Sequence, residues 1–129
     1  MPTHERYDSL INISKRDLRS AIILSKDSCP EVENSCYHCQ QSAEKALKAY
    51  LIYNNILYKF THNLEFLCLE CIKIDDSFKS IRTHCNILNS YSTDTRYLDN
   101  CPLTERDMHE AIELAEEVLN FVKEKIEKG

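Results

Sequence analysis

The chain has 129 residues, 43% of them hydrophobic and 29% charged, with a formal net charge of −5; that is enough for one core and one domain spanning 1–129, but not for two. Its single glycine is the last residue, which excludes a P-loop and a dinucleotide-binding fingerprint, since both need internal glycines where the backbone approaches phosphate. The acidic balance opposes condensation on a polyanion, so contact with RNA is not expected without a local basic site.

Residues 4 to 27 have the period of a first helix, with Tyr7, Leu10, Ile11, Leu18, Ala21 and Ile22 on one face and Lys15, Arg16 and Arg19 largely elsewhere. Ser28-Cys29-Pro30-Glu31 restarts the chain, because a proline suits a first helical turn and Glu31 and Glu33 suit its positive end. A second helix is expected from there to about Asn54. Val32, Cys36, Cys39, Ala43, Ala46, Leu47 and Tyr50 fall on one side of it and His38, Gln41, Lys45 and Lys48 on the other. One face packs, and the polar one is expected to be free to bind.

Asn54 or Asn55 can end this helix in the left-handed conformation. After a short connection, Thr61 is expected to cap a third helix with Leu64, Leu67, Cys68, Cys71 and Ile72 at helical spacing. Asp75-Asp76-Ser77 breaks or bends it, so residues 62 to 91 form one kinked helix or two in line. Tyr91 to Leu103 has no helical period and reads as the one substantial loop. Thr104 and Asp107 then form a capping box before a last helix striped by Met108, Ala111, Ala115, Val118, Leu119 and Val122. The expected fold is all-α, an up-and-down bundle of four to five helices.

The polar face of the second helix carries His38, Gln41, Lys45 and Lys48 along about 15 Å, a line of donors able to hold phosphate or carboxylate. The competing reading makes the lysines ordinary solvated positions, with Glu44 pairing to Lys48 at i,i+4. His62, at a helix N-terminus, is a natural anion neighbour. The seven cysteines read as reduced, buried thiols. Cys36/Cys39 and Cys68/Cys71 have the spacing of zinc pairs but sit on apolar helix faces, so a zinc-stabilised interaction module is an alternative and no metal or cofactor is expected. No apolar run approaches a membrane span and MPTHERYDSL lacks a signal-peptide pattern, so no membrane contact and a cytoplasmic location are expected.

Residues 38 to 49 (HCQQSAEKALKA), then Thr61-His62-Asn63-Leu64, then Tyr91 with Thr95-Arg96-Tyr97 before the last helix, resemble the HEPN family (higher eukaryotes and prokaryotes nucleotide-binding). The resemblance implies a helical bundle, often a homodimer, encoded beside a minimal nucleotidyltransferase or belonging to a toxin–antitoxin pair. It implies a nucleotide-binding set made of His38, Gln41, Lys45, Lys48, His62, Tyr91, Asp94, Arg96 and Tyr97. Lys45 or Lys48 would meet phosphate, Arg96 would grip it bidentately and Tyr91 or Tyr97 would stack on a base. Family members that cut RNA use an arginine, four to six residues and a histidine; none of Arg6, Arg16, Arg19, Arg82, Arg96 and Arg106 has a histidine at that spacing. Catalytic residues are therefore not assigned. A ribonuclease toxin with a non-standard pair, Arg96 with His38 or His62, is the remaining alternative from a different class.

Overall fold

The computed structural model describes residues 3–57, 61–92 and 102–128. Five α-helices account for most of them: α1 (Thr3–Ser25), α2 (Val32–Tyr53), α3 (Leu64–Ile74), α4 (Arg82–Asn89) and α5 (Glu105–Lys128), with a 3-10 segment, Asp76–Ile81, between α3 and α4. No strand occurs among the described residues. None of these helices is long and apolar enough to cross a membrane.

α2 is the axis of the bundle and packs against α1, α3, α4 and α5. Its expected apolar face is the core: Cys36, Cys39, Ala43, Ala46, Leu47 and Tyr50 are buried with Leu64, Leu67, Phe78, Leu88, Met108, Val118 and Val122. α1 approaches it closely because both helices present small residues at the crossing. Ser14 Oγ donates to the Ser42 carbonyl at 2.7 Å and Ser42 Oγ to the Ser14 carbonyl at 2.9 Å, while Ser35 Oγ donates to the Ala21 carbonyl at 2.8 Å. Each buried hydroxyl thus finds a partner that a larger side chain would push away. An aromatic group closes the far end of the core, with Phe78 4.5 Å from the Tyr50 ring and 4.9 Å from Phe121.

The helix ends follow from local chemistry. Asn55 adopts the left-handed conformation, φ 62°, and terminates α2 in a chain with no internal glycine. Asp75 ends α3 and its carboxylate accepts from Ser77 Oγ and the Ser77 backbone N–H, with Lys125 Nζ 3.1 Å away; these hold the carboxyl down at about 2. The Thr104–Asp107 capping box forms in both directions: Asp107 N–H donates to Thr104 Oγ1 at 3.1 Å, and Thr104 N–H to the Asp107 carboxylate at 2.9 Å.

Four expectations are corrected. α1 stops at Ser25 and not at residue 27, and α2 starts at Val32, two residues beyond Pro30, since the Glu31 N–H turns back to the Leu24 carbonyl. The cap of α3 is Asn63, whose side chain accepts from the Phe66 N–H; Thr61 instead accepts from the Asn63 N–H. In the 62–91 segment the helix breaks at Asp75 as expected, and a 3-10 segment leads from there into α4. Finally, the polar face of α2 is only partly open: His38, Gln41 and Lys45 are half-buried, whereas Lys48 is buried together with Gln40, Ser42 and Glu44 beside it. A helix surrounded by four others has too little perimeter for a solvated stripe, and its polar groups are satisfied internally.

Candidate functional site

Gln40, Glu44 and Lys48 recur every four residues and form one row along α2, bordering the apolar side that carries Leu47 and Leu51. The row is buried, and the 61–63 segment reaches it. Gln40 Nε2 donates to the His62 carbonyl at 3.0 Å, which fixes the approach of the segment to α2. The Gln40 Oε1 in turn accepts from Gln41 Nε2 at 2.7 Å. At the other end of the segment Asn63 and Asn89 pair at 3.3 Å, and Asn89 Oδ1 accepts the Leu64 N–H. His62 is thereby placed over the middle of α2.

The centre of the arrangement is the Glu44 carboxylate, which has no exposed surface. Lys48 Nζ donates to it at 2.9 Å, Lys45 Nζ at 3.3 Å, and His62 Nδ1 lies 3.0 and 3.1 Å from its two oxygens. Gln41 Nε2 adds a weaker contact at 3.4 Å and Gln41 Oε1 accepts from Lys45 at 3.3 Å. Burial alone would raise the Glu44 carboxyl. The Lys48 hydrogen bond, the charges of Lys45 and Lys48 and the His62 contact outweigh it, and the carboxyl is held below its ordinary value. With Nδ1 donating to the carboxylate, His62 points Nε2 away from Glu44.

Two lysine side chains and His62 share the one Glu44 carboxylate. The cluster reaches the surface unevenly. Lys48 is buried in the row, whereas the Lys45 side chain is 22% and the His62 side chain 63% exposed. Chemically the cluster is a set of lysine and histidine donors oriented from below by a carboxylate.

Of the sequence-derived residues, Gln41, Lys45, Lys48 and His62 are brought together here. His38 is not: its Nδ1 pairs with Asp17 of α1 at 3.1 Å. Tyr91 lies in the core, 7% exposed, where burial and the neighbouring Cys36 and Asp107 push its phenol up to about 12. Its ring supports packing and presents no open face to a base. Asp94, Arg96 and Tyr97 lie outside the described residues, as does the expected meeting of Arg96 with the lysine row.

Sequence reasoning assigned Glu44 only an i,i+4 pairing with Lys48, which forms, and gave no role to Gln40 or Asp17. The signal for the first two was the four-residue row beside Leu47 and Leu51; nothing local to α1 marks Asp17. Among the described residues no three His, Cys, Asp or Glu side chains gather as a metal site. Cys71 Sγ faces the Leu47 carbonyl at 3.7 Å and Cys68 Sγ the Phe78 carbonyl at 3.8 Å, so the Cys68/Cys71 pair turns toward helix backbone.

The HEPN domain family model matches residues 7–125. Two solved structures share the fold over nearly their whole length. The structure of ST0689, described as an archaeal HEPN homologue, is 28% identical with a TM-score of 0.77, covering 93% of this chain and 97% of that one. TT1696 from Thermus thermophilus is 25% identical with a TM-score of 0.81, covering 97% of this chain and 99% of the other. No protein with a curated description matches the chain. With the family's pattern running from Tyr7 to Lys125 and the bundle superimposing on that of an HEPN homologue, the chain belongs to the HEPN domain family.

Proposed function

We propose that this HEPN domain is an accessory module that binds the phosphate of a nucleotide at the α2 cluster. It works beside a minimal nucleotidyltransferase chain or a second copy of itself, in a toxin–antitoxin or related two-component system. The observation that supports the reading is the collection of Lys45, Lys48 and His62 over one buried carboxylate. Lys45 and His62 are the groups an anion would meet. Glu44 would hold them in place beforehand, so that less side-chain freedom is lost on binding.

Titration calorimetry with ATP, AMP and inorganic phosphate tests this reading. Binding should be enthalpic, weaken with salt, and fall about tenfold in Lys45→Ala and in His62→Ala, the loss of one charge-assisted contact each. Lys15→Ala on α1 should leave it unchanged. Equal affinity of all three variants, or no heat with any of the three anions, would refute the assignment.

A further inference from the structure

α3 and α4 are short helices that run in opposite directions, and the contacts between them fix their register. At the start of α3 the Leu64 N–H donates to Asn89 Oδ1 at 2.9 Å, and Asn89 Nδ2 donates to Asn63 Oδ1 at 3.3 Å, so the first turn of α3 is level with the last turn of α4. Glu65 and Arg82, 3.8 Å apart, bridge the same two helices. Antiparallel neighbours descend together. Four residues on from Leu64 is Cys68 and four back from Asn89 is Cys85, each about 6 Å further along its helix and on the same face as the residue above it. The register therefore brings two thiols to one level, and neither has any exposed surface.

The surroundings pair these two sulfurs and distinguish them. Cys68 turns its own S–H to the Phe78 carbonyl at 3.8 Å, which leaves its sulfur to accept from the Cys85 thiol. Cys71, one turn on from Cys68, is drawn to α2 instead, where its Sγ meets the Leu47 carbonyl at 3.7 Å. The hydrogen bond from Cys85 lowers the Cys68 thiol against the effect of burial, with help from the Arg82 charge, and the same bond raises Cys85. Cys68 is the better attacking group of the two.

We propose that Cys68 and Cys85 are a dithiol that a peroxide converts to a disulfide, tying α3 to α4 one turn below the contacts that hold the 61–63 segment. The Cys68 sulfur attacks one peroxide oxygen, the O–O bond breaks, and the departing hydroxide takes the Cys68 proton and leaves as water, with Cys68 as the sulfenic acid. The Cys85 sulfur then attacks the Cys68 sulfur; the S–S bond forms, the S–O bond breaks, and the Cys85 proton leaves with the oxygen as a second water. The two thiols lose two electrons, and one peroxide is reduced to two waters. Access comes from local opening. α3 has 11 residues and α4 has 8, lengths at which a helix is held only by its packing, so this pair opens more readily than the long helices around it. Once formed, the bond fixes the Asn63–Asn89 and Leu64–Asn89 contacts above it, and with them the segment that carries His62. None of this depends on the anion reading at α2.

Peptide mapping of the full chain tests it. Reduced protein is treated with hydrogen peroxide and digested with trypsin without reductant; Lys73, Lys79 and Arg82 separate the two cysteines, and fragmentation tells Cys68 from Cys71. A Cys68–Cys85 cross-linked peptide is expected. The melting temperature should rise by about 10 °C and exchange of the Leu64 amide should slow roughly tenfold, both reversed by dithiothreitol. In Cys85→Ala the sulfenic acid has no thiol to meet, so dimedone should label Cys68; the wild-type map decides the pairing even where this variant fails to fold. A link from Cys85 to Cys71, survival of both thiols under peroxide that oxidises exposed Cys29, or a cross-linked protein that melts no higher than the reduced one would overturn the proposal.

Discussion

Replacing Glu44 by methionine removes the carboxylate from a position with no exposed surface and takes from the Lys48 ammonium, itself 7% exposed, its partner at 2.9 Å. Removing one member of a buried pair costs about 3–5 kcal/mol because the other charge stays desolvated. At roughly 3–5 °C per kcal/mol for a domain of this size, the melting temperature should fall by about 10–20 °C. A second change separates the pair from the packing. In Glu44→Met/Lys48→Met the desolvated ammonium is gone too and Lys45, partly exposed, turns to water, so the double variant should lie within about 1–2 kcal/mol of the wild type and above the single one.

Urea unfolding followed by circular dichroism measures all three proteins at neutral and acid pH. Glu44 has a carboxyl lowered in the folded state from an ordinary 4.5, so its contribution is complete above that value and is lost as pH falls through the lower, folded one. The gap between wild type and Glu44→Met must narrow on acidification. A single variant within about 1 kcal/mol of wild type, a double variant less stable than the single, or a gap that widens in acid would refute the reasoning.

Other outcomes follow from the same structure. Thr104→Ala removes half of a capping box formed in both directions and should cost about 1 kcal/mol, read as a fall of roughly 4 °C in melting temperature. Ser14→Leu wedges the α1–α2 crossing and loses its hydrogen bonds to Ser42, so urea unfolding should show a loss of about 2–4 kcal/mol. Iodoacetamide under native conditions, followed by peptide mapping, should modify exposed Cys29 quickly and buried Cys36 and Cys39 only at the rate of unfolding; burial pushes Cys36 up to about 12 and Cys39 further up. Purified protein incubated with RNA in EDTA should leave it intact. Cleavage lost in Arg96→Ala would instead establish the ribonuclease alternative.

The helices were legible because their signals are local. The Met108–Val122 stripe, the Thr104–Asp107 box and the helix-ending Asn55 each act within a turn or two, and the structure contains all three. The cap of α3 was misread at the same scale: Thr61, Asn63 and Asn89 compete for the same few backbone groups, and Asn63 wins with Asn89 from α4 in support. That partner is 26 residues away in the chain and leaves no trace near Thr61.

The site was half legible for a related reason. An α-helical period sorts residues by direction, so it placed Lys45 and Lys48 on a common side, but it carries no information about what lies opposite that side. Whether a lysine is solvated or buried depends on the neighbouring element. Here the Glu44–Lys48 pair is buried, and the 61–63 segment meets the row at Gln40 and adds His62 to it. The same holds for His38, which Asp17 of α1 draws out of the set.

The amino-acid sequence by itself determined that this is an all-helical HEPN bundle organised around α2, because helix period, caps and the absence of internal glycine are properties of neighbouring residues. Only the tertiary structure decided that Glu44 stands at the centre of the cluster and that His62, from the segment before α3, joins it. Both depend on which elements pack together and in which direction, and long-range contacts set those.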